Sequence, residues 1–147
     1  MKKLVFLTGA GMSAESGIST FRDSNGLWEQ YKVEDVASIE GYWRNPELVI
    51  NFYNERRKQL KDVEPNEGHR LVATLEDKYE VTVVTQNVDN LHERAGSKHI
   101  IHLHGELTKA CSDRGKRCVQ DIGYAPITYG TRTEDGGMMR PFIVWFG

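Results

Sequence analysis

Three constellations in this chain carry side chains that can do chemistry. In "TQNVDNLHERAG", residues 85–96, Gln86, Asn87, Asp89 and His92 fall within seven positions. Amides there can donate to and accept from a carboxamide or a sugar hydroxyl, and a carboxylate can hold a hydroxyl or an amide nitrogen. A polar turn capping the next helix through Asp89 or Asn90 would use the same residue types. In "HLHG", residues 102–105, His102 and His104 share one face if the stretch is a strand. Such a pair can bind a metal, but no third ligand follows at a suitable spacing. His104, just before a glycine at a strand end, can serve as a general base near neutral pH, or can be a structural or surface histidine. In "FYNERR", Tyr53 and Arg56 lie three apart and share a helix face. Guanidinium and phenol together can grip a carboxylate, the first by a bidentate fork and the second by one donor. The alternative is an ordinary amphipathic helix edge.

A glycine-rich turn adds an anion-binding candidate. "GAGMSA", Gly9 to Ala14, fits the dinucleotide pattern G-x-G-x-x-G/A after a strand and before a helix. Gly9 permits a tight turn, Gly11 lets backbone amides approach a pyrophosphate, and Ala14 is small enough for close helix packing. The acidic residue expected about twenty positions on, after a second strand, is missing. An ordinary glycine-rich loop fits the motif equally well. "GISTFRDSNGLW", residues 17–28, places Phe21 beside Arg22. It reads either as a lid over an anionic ligand or as a surface loop in which Phe21 and Trp28 pack.

These residues need elements to hold them. "KLVFLT", residues 3–8, reads as a short buried strand, followed by a helix from near Ser13. Residues 46–60 read as a helix, with Pro46 and Glu47 in the first turn, basic residues toward the end, and Leu48, Phe52 and Leu60 on or near one apolar face. A second helix covers 66–78 with Leu71, Val72 and Leu75 inward. "EVTVVT", residues 80–85, is a second buried strand, and a short helix stops at the C-cap glycine Gly96. "HIIHLHGEL" reads as a third strand, residues 109–140 as polar and irregular, and "RPFIVWFG" as the start of another. Strand, glycine turn, helices, strand, helix, strand is the rhythm of a parallel α/β sheet.

Composition narrows the class. The chain has 147 residues, 39% of them apolar, with a net charge of −2. That fits one soluble domain and argues against an electrostatic nucleic-acid binder. No apolar run approaches the ~18 residues of a membrane span. The apolar stretch after Lys2 and Lys3 is too short for a signal peptide, so a cytoplasmic protein is expected. Cys111 and Cys118 are too few for a disulfide scaffold, and no second pair exists to complete a four-ligand zinc site, so zinc is not expected.

Taken together and in order, "GAGMSAESGISTFRDSNGLW", "TQNVDNLHERAG", "HLHGEL" and "RPFIVWFG" resemble the sirtuin family of NAD-dependent protein-lysine deacylases. "NPELVINFYNERRKQL" is similar to the corresponding helix of bacterial members that also remove acidic acyl groups. The resemblance implies a cofactor, NAD, held by Gly9, Ala10, Gly11, Ser13, Glu15, Phe21, Arg22, Gln86, Asn87 and Asp89. Phe21 would shield the reactive sugar carbon. His104 would be the general base. Tyr53 and Arg56 would read a succinyl or malonyl carboxylate. The acyl oxygen would attack the ribose carbon as nicotinamide leaves, His104 would help deprotonate a ribose hydroxyl, and water would release O-acyl-ADP-ribose. Partners would be acylated-lysine proteins, with no nucleic acid and no membrane.

The implied fold is a Rossmann-like parallel sheet with flanking helices and a small irregular insertion module, as the N-terminal part of the full fold. Residues 1–108 would form the NAD-binding region with a helical insert at about 28–62. Residues 109–140 would form the small module, and 141–147 the start of a further strand. Three departures from the family stand out: Ser19 and Thr20 replace Pro-Asp, the four-cysteine zinc site is incomplete, and the chain stops at Gly147. About 90–100 further residues would complete a Rossmann domain of ordinary size. A fragment, or a second chain supplying the missing strands, is therefore expected. The other classes to weigh are a non-catalytic nucleotide-binding module and an ADP-ribosyltransferase on the same fold.

Overall fold

The computed structural model describes residues 1–18 and 31–147. Phe21, Arg22 and Trp28 lie outside the described residues. Among the described residues, two small sheets and a set of helices make up the architecture. β1 (Lys3–Thr8), β2 (Glu80–Thr85) and β3 (Ile100–His102) form a parallel sheet in the order β1-β2-β3. Leu4 pairs with Val81, Phe6 with Val83 and Thr8 with Thr85, so these residues share one face. Their alternation puts Leu4, Phe6, Val81 and Val83 against Val72, Leu75 and Met12. The opposite face is open among the described residues: Val5 is 64% and Leu7 70% exposed.

The glycine turn leads into α1 (Ala10–Ala14), which starts at Ala10 rather than near Ser13 because Gly9 takes the N-cap position. Residues that carry no sustained period in the sequence form α2 (Val33–Val36) and α3 (Ile39–Arg44). α4 (Pro46–Asp62) runs two residues past its expected end, and the Asn45 side chain accepts from Leu48 N at its start. Val49, Tyr53 and Arg57 recur four apart, with Phe52 and Leu60 beside them, and all five are buried in the larger core. α5 (Glu67–Thr74) gives way to a 3-10 turn at Leu75–Asp77. Leu71 is not inward as expected: it is 55% exposed, because the helix packs through His69 and Val72. α6 (Leu91–Ala95) ends at Gly96 in the left-handed region, φ 108°.

The expected third strand is broken in two. β3 stops at His102, and β4 (Gly105–Ser112) departs into an antiparallel sheet with β5 (Gln120–Asp121) and β6 (Met139–Ile143). The antiparallel sheet thus begins at Gly105, and its β6 takes in the "RPFI" stretch expected to start a further strand. Gly105 makes the break possible. Its φ is 88°, and a Cβ there would run into Phe142 O. Two thiols cannot supply a four-thiolate zinc set, and Cys111 is buried with its Sγ 3.8 Å from Pro141 O. Asp135 ties the module together, its Oδ1 accepting from Thr133 Oγ1 at 2.6 Å, Ser112 Oγ at 2.8 Å and Gly137 N at 3.0 Å. Past β6, Phe146 N donates to Ala37 O and Phe146 O accepts from Ile39 N, joining the module to the helices.

Candidate active site

A cavity of about 590 Å³ opens where the C-terminal ends of β1 and β2 meet α4 and the segment after β6. In open α/β sheets this is where ligands bind. Ala10 and Ser13 come from the glycine turn and its helix. Gln86, Asn87, Val88 and Asp89 come from the loop after β2, His104 from the turn after β3, Tyr53 and Arg56 from α4, and Ile143 to Phe146 from the end of the chain. The three constellations singled out in the sequence thus meet in one space. Gly9 and Gly11 are not part of the lining, though Gly9 O accepts from Asn87 Nδ2 at 2.9 Å. Glu15 is exposed at the C-cap of α1, away from the cavity.

The floor is a buried polar network. Asn66 N donates to His69 Nδ1 at 3.1 Å, so the proton of neutral His69 sits on Nε2 and points to Ser13 Oγ at 3.3 Å. Ser13 in turn donates to Asp89 Oδ2 at 2.8 Å. Asp89 Oδ1 accepts from Leu91 N, at the start of α6. Thr8 gives its hydroxyl proton to Thr85 Oγ1 at 2.8 Å, which makes His92 Nε2, 3.1 Å from Thr8 Oγ1, the donor in that contact. The His69 and His92 rings meet edge to face, 4.9 Å apart. Burial pushes both below the ordinary histidine pKa. Both rings are therefore neutral parts of the scaffold. Sequence reasoning missed His69 as a site element, although its spacing of three from buried Val72 on one helix carried the signal.

His104 is exposed and reaches the cavity from a turn rather than from a strand. The backbone fixes that turn: Leu103 N donates to Thr85 O at 2.9 Å, and Val144 N donates to His104 O at 2.8 Å. Among the described residues, His104 is not in the group of metal-capable side chains that contains His102. His102 lies with Glu93 and Glu106, with ligand-type atoms within 4.8 Å of one another.

The opposite wall is aromatic and cationic. Trp145 Nε1 donates to Tyr53 Oη at 3.0 Å, and the Arg140 guanidinium stacks 3.8 Å from the centre of the Trp145 ring. Burial pushes the Tyr53 phenol up and works against the Arg56 cation, while Tyr53 and Asp89 favour the Arg56 charge. The phenol therefore keeps its proton, and the guanidinium keeps its charge. Trp145, which supplies this wall, belongs to "RPFIVWFG", a stretch that in sequence signals only a strand.

The Sir2 family model matches residues 9–147, and the chain belongs to the Sir2 family, the sirtuins. An NAD-dependent protein deacylase of Bacteroides thetaiotaomicron is 63% identical over 154 residues, covering 100% of this chain and 65% of that protein. One from Helicobacter pylori is 51% identical over 147 residues, covering 100% of this chain and 64% of its own length. A solved Sir2 homologue in complex with NAD superposes with a TM-score of 0.89 at 41% identity, over 99% of this chain and 58% of that one. The chain thus spans slightly under two thirds of the relatives it matches.

Proposed function

We propose that the protein carrying these residues is an NAD-dependent protein-lysine deacylase that removes acetyl and also succinyl or malonyl groups. The observation that carries this reading is the single cavity shared by the Asn87–Asp89 loop, His104 and the Tyr53–Arg56 pair. NAD supplies a ribose carbon made electrophilic by the departure of nicotinamide. Ala10 and Ser13 present the glycine turn to the phosphates, with Gly9 and Gly11 shaping it. Asn87 and Asp89 face the nicotinamide and its ribose, with Asp89 held by Ser13. Gln86 joins them from the exposed side. Exposed His104 takes a proton from a ribose hydroxyl. Glu15 stands outside the cavity, so its part in cofactor binding is indirect. Phe21 and Arg22 are assigned to the cofactor on the resemblance alone.

Acidic acyl groups are favoured by the chemistry of the far wall. Trp145 already donates to the Tyr53 oxygen, leaving the Tyr53 proton to be given outward. Arg56 adds a charged fork on the same side of the cavity. Together they suit a carboxylate at the end of a short acyl chain. A solved Sir2 variant holding a deacetylated p53 peptide and 3′-O-acetyl ADP-ribose has a TM-score of 0.73 at 31% identity, covering 99% of this chain and 61% of that one. It supports acyl transfer from a peptide lysine to ADP-ribose as the reaction class. The test is turnover of acetyl-lysine and succinyl-lysine peptides with NAD. Arg56→Met is expected to lower kcat/KM for the succinyl peptide by about 10²-fold, the loss of a charge-assisted pair, and for the acetyl peptide far less. Equal losses would make Arg56 structural. ADP-ribose found on protein would point to ADP-ribosyl transfer instead.

A further inference from the structure

His102 is the last residue of β3, paired with Thr85 at the end of β2. Its side chain is only 7% exposed. Nδ1 lies 2.9 Å from the Asn87 carbonyl oxygen, and Nε2 lies 2.6 Å from Glu93 Oε2. A carbonyl and an ionised carboxylate only accept, so a ring that bonds both must carry two protons. On its backbone the segment is also tied by Gln86 N to Thr8 O at 2.9 Å, by Asn87 N to Thr85 Oγ1 at 3.0 Å and by Leu107 N to Val88 O at 2.8 Å, and farther on by Asp89 to Ser13 and to Leu91 N. The Asn87 side chain leaves in another direction, toward Gly9 O.

We propose that His102, as an imidazolium, is the positioning residue that holds the Asn87 segment of the cavity and makes its affinity for NAD depend on pH. The proposal rests on the NAD reading above. Three titratable groups face the ring, and one of them carries a cation of its own. Glu93 and His92 come from α6. Glu106, 3.7 Å away, and Lys109, which pairs with Glu106 at 2.7 Å, come from β4. Burial opposes the ring's charge. The hydrogen bonds to Glu93 and the Asn87 carbonyl, with the charges of Glu93 and Glu106, outweigh it and raise the pKa above the ordinary histidine value. His102 sits two residues before His104 but does not line the cavity, so it acts through Asn87 rather than on substrate.

Two measurements on the protein test this. Side-chain nitrogen NMR at pH 7 is expected to show both His102 nitrogens protonated, with the Asn87 carbonyl carbon shifting as His102 titrates. Calorimetry is expected to show the Kd for NAD rising as pH rises through that titration. His102→Gln weakens binding about tenfold at pH 7, as loss of a charge-assisted hydrogen bond does, and removes the pH step. Glu93→Gln keeps the ring and moves the step to lower pH. A neutral His102 at pH 7, an Asn87 carbonyl blind to its titration, or wild-type affinity and pH profile in His102→Gln overturns the proposal. A protein that binds no NAD defeats the functional reading and the pH-dependent affinity with it, while the NMR measurement still decides whether a doubly protonated His102 holds the Asn87 segment.

Discussion

At the scale of residues, the cavity depends on buried polar groups that have few alternative partners. Ser13 is 1% exposed, accepts from His69 and donates to Asp89. Ser13→Ala leaves the buried His69 N–H without an acceptor and takes from Asp89 Oδ2 the Ser13 donor, with Oδ1 still bonded to Leu91 N, at a cost of about 1–3 kcal/mol. Urea unfolding measures it, and a change within experimental scatter would mean that water replaces the hydroxyl. The histidines add a pH signature. His69 and His92 are pushed below the ordinary value of 6.5 by burial. Their contribution to stability is complete above that unfolded value and is lost as pH falls through the lower folded values. For His102, whose pKa is raised, the contribution is complete below 6.5 and is lost as pH rises through the folded value. Melting temperature against pH is therefore expected to lose part of its acid slope in His69→Gln and part of its alkaline slope in His102→Gln. Identical profiles would remove the burial argument.

At the scale of elements, Gly105 is the joint on which the site turns. It ends one sheet, starts the next, and leaves His104 in a backbone-fixed turn. Gly105→Ala meets Phe142 O and an unfavourable φ together, and is expected to cost more than about 3 kcal/mol and to displace His104. Wild-type thermal stability and turnover in that variant would contradict this. The small module makes a second claim. Hydrogen bonds from Thr133, Gly137 and Ser112 bring the Asp135 carboxyl down to about 2, so its support is present above the ordinary carboxylate range and is lost as pH falls toward that value. Chelators are expected to leave the melting temperature unchanged, whereas Asp135→Asn lowers it; a chelator-induced drop would mean a metal that two cysteines do not explain. Much of this was legible in the sequence. β1, β2 and the helix from Pro46 follow from apolar periodicity and capping residues, and the cavity's constellations follow from their places at strand ends. The break at Gly105 was not legible. "HIIHLHGEL" is apolar on both sides of the glycine, and only the approach of β6, about forty residues later, decides that the chain turns there. The inward turn of His69 in place of Leu71 is marked in the sequence only by its spacing of three from Val72, since its partners Ser13 and Asp89 are remote in sequence.

At the scale of the whole molecule, the parallel sheet shows one packed face and one open face. Val5, Leu7, Ile101 and Leu103 are exposed, and among the described residues β1 pairs with β2 alone. An apolar strand edge of this kind invites pairing with another chain. Residues 1–147 prepared alone are expected to self-associate on size exclusion, with Leu7→Lys shifting them toward monomer; a monomer whose β1 amides resist hydrogen exchange would contradict this. The central claim is that one cavity brings a nucleotide, a base and an acyl-lysine together. The most direct measurement is mass spectrometry of the products formed by the protein from NAD and a succinyl-lysine peptide. The account predicts free lysine peptide, nicotinamide and O-succinyl-ADP-ribose in equal amounts, with all three lost in His104→Ala. Unmodified NAD and peptide, or the same products in His104→Ala at the wild-type rate, would contradict it.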